Sequence, residues 1–419
     1  MKREMKHSGI EWAGDVPKHW QYIKLKSYYA FEKGKKAQLY TVDYIGSHEG
    51  EYPVYSGQTE NDGVLGRIDT YDYDVDECLF STTVGAKVMT PKILSGKFSL
   101  SQNCLIMKKI KECNNHFMFY CLHPLFDYEK GSIPSYMQPS LRIDDLKKFG
   151  FFIPLDIKEQ ERIADYLDKK CADIESLALN IQKEIEQLEE YKRSIIVETV
   201  TKGLNLNVNL IDSQIPYIGM IPSTYEIKPL YLYFDERKNS NKLLKEDNLL
   251  SLSYGRIVKK DINTLGGLLP ESFSTYNIVE ANDIIIRPTD LQNDKKSLRT
   301  GLCKEHGIIT SAYIALKPKY KFDTRFFHYQ LHAFDVMKVF YNMGNGVRQG
   351  LNYSEFSKLM LLIPGAKEQI EIADYLDAKC KEIDSIKESK NEQLEKVYEY
   401  KKALVYEYAT GKKEVPINE

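Results

Sequence analysis

The sequence predicts an α+β chain with a pseudo-two-fold internal repeat: two globular modules joined by two long antiparallel coiled-coil helices. Three observations lead there. Lys158 to Cys171 read KEQERIADYLDKKC, and Lys367 to Cys380 read KEQIEIADYLDAKC, 209 residues apart in a chain of 419. A period this long marks a duplicated module, not a solenoid. Each copy opens a stretch without Pro or Gly, rich in Glu, Lys, Leu and Ile. Each follows a stretch of short apolar runs broken by Gly, Pro, Asn and Ser.

The expected boundaries are a first module over 1–153, a first rod over 154–202, a second module over 203–363, a second rod over 364–411 and a tail over 412–419. In the first rod Leu167, Ile174, Ile181, Leu188 and Ile195 fall seven apart, a heptad seam for a partner helix. Ile163, Cys171, Leu177, Ile185 and Tyr191 widen that stripe. About 44 helical residues make a rod of roughly 65 Å. Asp156 is a candidate N-cap and Gly203 a candidate stop.

In the second rod Leu376, Ile383, Val397 and Leu404 occupy the equivalent seam positions, with Ile372, Ile386 and Leu394 beside them. Lys390 stands where Ile181 stood. A lysine there either helps fix register or snorkels to solvent. Matching seams predict that the rods pack on each other. An antiparallel pair places one module at each end, whereas a parallel pair forces the second module to double back.

The modules share their borders. Gly14, Pro17, Trp20 and Leu25 match Gly219, Pro222, Tyr225 and Leu230, and Gln138 and Leu141 match Gln349 and Leu351. Between these borders the two diverge. Leu79-Phe80, Cys104 to Met107, Ile284 to Ile286 and Tyr313 to Leu316 read as strands. An aromatic helix follows in each, Asn115 to Glu129 and Thr324 to Tyr341.

With 42% hydrophobic and 28% charged residues the chain is expected to be globular. Its net charge of −2 carries no global nucleic-acid signature, so any such face must come from local clustering. Seven cysteines without a CxxC suggest neither a disulfide framework nor a zinc site, and point to a reducing cytoplasm. No run of about 18 apolar residues predicts a membrane span, and the basic N-terminus lacks the apolar run of a signal peptide. His328 and His332 have metal-compatible spacing but no evident third ligand. Gly344-Asn345-Gly346 follows a helix, the wrong context for a dinucleotide loop. Walker, methyltransferase and nuclease motifs are missing, so no catalytic or metal residue is assigned.

Base readout needs Arg or Lys for guanine and Asn or Gln for adenine, with other cations directed to phosphate. In the first module Thr82, Thr83, Lys87 and Gln102 follow strands, and Tyr136, Gln138 and Arg142 cluster near its end. In the second, Tyr254 and Arg256 form one group, and Arg287, Gln292, Asn293, Lys295, Lys296 and Arg299 a second. Arg348, Gln349 and Asn352 close it. Singly each is an ordinary loop residue. As sets at matching places in two modules, they point to nucleic acid.

This layout resembles the specificity subunit of a type I restriction-modification enzyme. The resemblance rests on the paired KEQ-x-x-IADYLD helix starts, the Gly14–Trp20 and Gly219–Tyr225 openings, and the stretch Asp283 to Tyr313. It implies two target recognition domains, each gripping half of a split, asymmetric site in double-stranded DNA, with the helices as a ruler. It further implies two docked methyltransferase subunits that bring S-adenosylmethionine and methylate adenine, and restriction subunits that use ATP and Mg to translocate and cut. The chain itself would carry no cofactor and no catalysis. The alternatives are a nuclease or methyltransferase activity of its own, or a coiled-coil scaffold without a DNA role.

Overall fold

A computed structural model describes every residue except 1–2, 59–60, 86, 135, 206, 263–269, 271, 290–297, 344–349 and 417–419. The chain forms two compact units, Met1–Gln182 with Glu392–Glu419, and Lys183–Asn391.

The first unit opens with β1 (Met5–His7), β2 (Asp15–Pro17), β3 (Gln21–Lys24), β4 (Tyr29–Lys33) and α1 (Val42–Ser47). It continues through β5 (Glu49–Tyr55), β6 (Val64–Ile68), β7 (Tyr73–Thr82), β8 (Pro91–Leu100) and β9 (Cys104–Lys109). Helices α2 (Asn115–Gly131) and α3 (Ile143–Leu146), then β10 (Gly150–Ile153), lead into α4 (Ile157–Lys202). Six strands form one sheet in the order β4-β9-β7-β8-β5-β6, in which β5 and β8 are parallel and the other neighbours antiparallel.

The central strands read as continuous apolar runs because both faces are covered. Leu79, Leu105 and Met107 point to a core shared with Phe117, Met118 and Leu122 of α2. Cys78, Phe80, Cys104 and Ile106 point to a second core with Tyr73, Leu94 and Phe98. The Asn114 side chain caps α2 by accepting from Phe117 N at 2.8 Å, which explains why the helix begins there.

The second unit holds β11 (Leu210–Asp212), β12 (Met220–Pro222), β13 (Glu226–Pro229), β14 (Phe234–Glu236), β15 (Leu250–Ser253) and β16 (Arg256–Lys259). Then come β17 (Asn277–Val279), β18 (Ile284–Ile286), β19 (Thr300–Leu302), β20 (Gly307–Ile309), β21 (Ile314–Pro318) and α5 (Thr324–Val336). It closes with α6 (Tyr353–Phe356), β22 (Met360–Ile363) and α7 (Ala366–Ala409). Its main sheet runs β14-β21-β18-β19. Ile284 and Ile286 face α5, whereas Ile285 packs with Leu250, Leu252 and Ile309.

In both units the opening and closing strands are zipped together. β3 pairs β10 from Gln21↔Ile153 to Lys24↔Gly150, and β13 pairs β22 from Glu226↔Ile363 to Pro229↔Met360. Each module therefore ends beside its own start, and the rod leaves from that point.

Each unit contains a stretch of both rods, running in opposite directions. In the first, Tyr408 Oη meets Tyr166 Oη at 3.3 Å and Lys401 Nζ meets Glu175 at 2.5 Å. In the second, Lys390 pairs Glu184 at 2.6 Å, Lys387 pairs Glu189, and Lys192 pairs Asp384 at 2.7 Å. Along α4, Leu167, Cys171, Ile174, Ala178, Ile181 and Ile185 are buried, a strict alternation of three and four. Leu188 and Ile195 are half-buried, as is Val397, while Leu376, Ile383 and Leu404 are buried.

Two parts of the expected stripe are corrected. Leu177 and Tyr191 are exposed, as is Ile386, because each lies one residue off the seam, about 100° around the helix. Ala178, Lys192 and Lys387 hold those seam positions, the two lysines half-buried and ion-paired. Lys390 is half-buried and paired as well.

His123 of α2 and His332 of α5 sit 209 residues apart and share an environment. Burial, with the Lys401 charge, lowers His123 to about 4. Burial, with His328, Lys192 and Arg193, lowers His332 to about 3. Both rings are neutral at pH 7. Unfolded, they take up protons near pH 6.5, so below that pH the unfolded chain binds more protons than the folded one. Stability is therefore complete above about pH 6.5 and falls on acidification, by about 2 kcal/mol per ring at pH 5. Denaturant unfolding at pH 7 and pH 5 measures this. In His123→Asn/His332→Asn the difference between the two pH values shrinks.

Candidate nucleic-acid interface

The frame that carries the candidate residues is built twice from equivalent bonds. Tyr120 of α2 donates to Asp168 of α4 at 2.7 Å, and Tyr329 of α5 donates to Asp377 of α7 at 2.7 Å. Burial, together with the adjacent carboxylates, raises both phenols, which keeps them protonated donors. Gln160 Nε2 donates to Pro154 O at 2.7 Å, and Gln369 Nε2 to Pro364 O at 2.9 Å.

At each rod start a carboxylate meets the module's opening aromatic residue. Trp20 Nε1 donates to Glu159 at 3.1 Å, and Tyr225 Oη to Glu368 at 3.1 Å. Burial alone would raise the Glu159 carboxyl. Hydrogen bonds from His19 and Trp20 and the charge of Arg3 outweigh that, and hold it below the usual range.

The first module brings three separate sequence segments together at one place. Thr83 N donates to Asn103 O at 2.8 Å, and Leu141 N donates to Thr83 O at 2.8 Å. Val84 and Ser140 form an isolated antiparallel bridge beside them. Lys87, Gln102, Tyr136, Gln138 and Arg142 are exposed around this junction, Tyr136 by 86%.

Thr82 and Thr83 are corrected: both side chains are buried. The Thr82 hydroxyl donates to the Lys87 carbonyl, so it shapes the loop from within. These two residues hold the face and do not present their hydroxyls at its surface.

The second module repeats the junction. Leu351 N donates to Pro288 O at 2.9 Å, matching Leu141 to Thr83, and Arg287 N donates to Arg299 O at 2.8 Å. Arg287 is half-buried and Tyr254 exposed. Gln292, Asn293, Lys295, Lys296, Arg348 and Gln349 lie outside the described residues.

Three further assignments in the second module are corrected. Arg299 is only 1% exposed: its Nη1 donates to Thr289 O at 2.5 Å and its N donates to Asp335 at 2.8 Å. It is an internal strut between the loop and α5. Arg256 reaches Asp384 of α7 at 2.5 Å, the carboxylate that also binds Lys192. Its charge is directed at the rod. Asn352 is exposed, but its side-chain oxygen caps α6 by accepting from Glu355 N at 3.0 Å.

The structure adds the turn at Asn61–Gly63 to the candidates. Asn-Asp-Gly signals a turn, yet nothing local says which strands that turn adjoins.

Comparison with known proteins agrees with this geometry. A family model described as the type I restriction modification DNA specificity domain matches residues 17–187. A Mycoplasma pneumoniae chain named as a type I specificity subunit is 28% identical over 351 residues, covering 80% of this chain and 84% of that one. The type I restriction enzyme MjaVIII specificity subunit of Methanocaldococcus jannaschii is 23% identical over 427 residues, covering 95% of this chain and 93% of its own. A solved chain from work on assembly and conformational transition of the type I R-M system superposes with a TM-score of 0.65 at 11% identity. That likeness covers 94% of this chain and 98% of the solved one and speaks for the fold. The sequence matches and the duplicated frame together give this chain a type I restriction modification DNA specificity domain over residues 17–187 and a likeness to type I specificity subunits along 95% of its length.

Proposed function

We propose that each module reads one half of a bipartite, asymmetric site in double-stranded DNA, and that the rods set the unread spacer. The observation that carries this is the repeated junction, Leu141 to Thr83 and Leu351 to Pro288. One backbone frame supports two faces with unlike side chains, as two unlike half-sites require. The frame's equivalent outer surfaces suit two copies of one partner, which we assign as two methyltransferase subunits. In this reading the chain is non-catalytic. S-adenosylmethionine for adenine methylation, and ATP and Mg for translocation and cutting, reside on the methyltransferase and restriction subunits. We assign the assembly to the cytoplasm, together with the proposed DNA partner. Among the described residues no helix is long and apolar enough to cross a membrane.

The chain co-expressed with its methyltransferase partner should give adenine methylation on both strands of a split motif, read by methylation-sensitive sequencing. Methylation by the chain alone, or an unsplit motif, overturns the reading.

Two variants test its parts. Inserting one heptad after Leu188, with its match in α7, lengthens the pair by about 10 Å, roughly three base pairs. The spacer should grow by about that much while both half-sites stay the same. An unchanged spacer removes the ruler.

Arg142→Ala should weaken DNA binding by about 1–3 kcal/mol, at one base if it reads an edge and on all sequences if it meets phosphate. Arg256→Ala should leave the recognised bases intact, because its partner is Asp384 of the rod. Competition binding with single-base variants of the site separates these outcomes.

A further inference from the structure

We propose that Asn61 reads a base in the first half-site, which makes the β5–β6 turn a fourth segment of that face. The inference rests on the bipartite reading above and adds a residue to it. The turn is fastened to the junction already described. Ser101 N donates to Tyr55 O at 2.8 Å, where β5 ends, and Ser56 N donates to Gly63 O at 2.8 Å. A Cβ built on Gly57 would lie 3.7 Å from the Val84 carbonyl oxygen and 3.8 Å from Asn103 Cβ. Val84 is the residue that bridges to Ser140, and Asn103 carries the carbonyl that accepts from Thr83. The turn therefore adjoins the segments that hold Gln102, Gln138 and Arg142.

Lys92 determines how the turn presents itself. Its ammonium binds the Asp62 carbonyl oxygen at 2.5 Å and also the Asp62 carboxylate. The ion pair offsets a negative charge that would otherwise repel the DNA backbone. It also holds Asp62 at φ 55°, beside Asn61 at φ 48°. Two adjacent non-glycine residues in the left-handed region are uncommon, and Asn and Asp tolerate it best.

The Asn61 side chain is exposed and has no partner among the described residues. Its amide offers one donor and one acceptor side by side, the pair that matches adenine N7 and N6 in the major groove. Gln102, Asn103 and Gln138 add three further exposed amides on the segments that meet at the junction. Adenine is the base class this chemistry favours.

A purely structural role for Asn61, filling a left-handed turn position, makes a different prediction. Asn61→Gly keeps the backbone freedom and removes only the amide. The full-length variant is assembled with the methyltransferase partner, and its methylated motif is compared with that of the wild type. We expect one position of one half-site to lose discrimination by about ten-fold or more, with the other half-site and the spacer unchanged. An unchanged motif overturns the inference. So does a uniform loss on all sequences, which would mark a phosphate or backbone role. A wild-type complex that shows no split motif would instead overturn the bipartite reading itself, so the two failures are distinguishable.

Discussion

The junction between rod and module is the constraint on which the other features depend. At the start of each rod a carboxylate, Glu159 or Glu368, accepts from the aromatic residue that opens the module. At the end of a rod, a glycine in the left-handed region abuts the same aromatic residue. Gly411 has φ +71°, and a Cβ there would lie 2.5 Å from Pro17 and 3.0 Å from Trp20. Gly203 has φ +75°, and a Cβ there would lie 2.7 Å from Glu368 and 2.9 Å from Tyr225. The positive φ favours glycine at both, and at Gly411 the rings of Pro17 and Trp20 also leave no space for a Cβ. In the second unit this arrangement is covalently continuous, α4 running into the module that follows. In the first unit the rod end arrives from the far end of the chain, and Lys412 donates to Ala13 O at 2.6 Å to secure it. Residues 13–20 and 411–412 thus make in the first unit, by packing, the junction that α4 makes covalently in the second.

The Tyr–Asp clamps and the rod-start carboxylates recur at the 209-residue offset and the closing strands within a residue of it, whereas the opening aromatic residue and opening strand recur at 205. The reading faces do not recur. Among the described residues the backbone bond from the closing leucine to the loop is kept, and a backbone bond leaves the side chains free to vary. The frame's bonds use atoms that both modules share, whereas the faces use loop tips. A duplicated chain can therefore hold its geometry while its two faces diverge.

Much of the frame is legible in the sequence because it follows from periodicity. A heptad seam and apolar runs in doubly covered strands are local signals. The faces are less legible, for a physical reason at each position. Thr82 and Thr83 look like surface hydroxyls, but a backbone bond from Leu141, 58 residues on, closes the loop over them. Arg299 looks like a contact cation, but Asp335 on α5 draws it inward. Arg256 sits on a hairpin tip, and only the fold shows that this tip meets Asp384. Leu177 and Tyr191 match the composition of a seam but miss its phase by one residue. Each of these outcomes depends on a partner distant in sequence.

The polar seam of the second unit gives Lys390 a role that burial alone does not explain. Where the first rod has Ala178 and Ile181, the second has Lys387 and Lys390, bound to Glu189 and Glu184. Half-buried ion pairs add little net stability, because desolvation offsets much of the attraction. Burial alone lowers the Lys387 ammonium, which is the signature of that cost. Their contribution is to alignment. Slide α7 by one heptad, and Lys390 faces Leu177 or Tyr191 while Lys387 faces Gln182 or Ile196. None of these is a carboxylate, so the slipped state leaves two ammonium groups unpaired. An apolar seam tolerates such a slip far better, since one aliphatic layer replaces another. A heptad slip moves one rod by about 10 Å, about three base pairs of the proposed spacer. A pair of rods that measures DNA needs one register, and unpaired lysines penalise the neighbouring one-heptad slips.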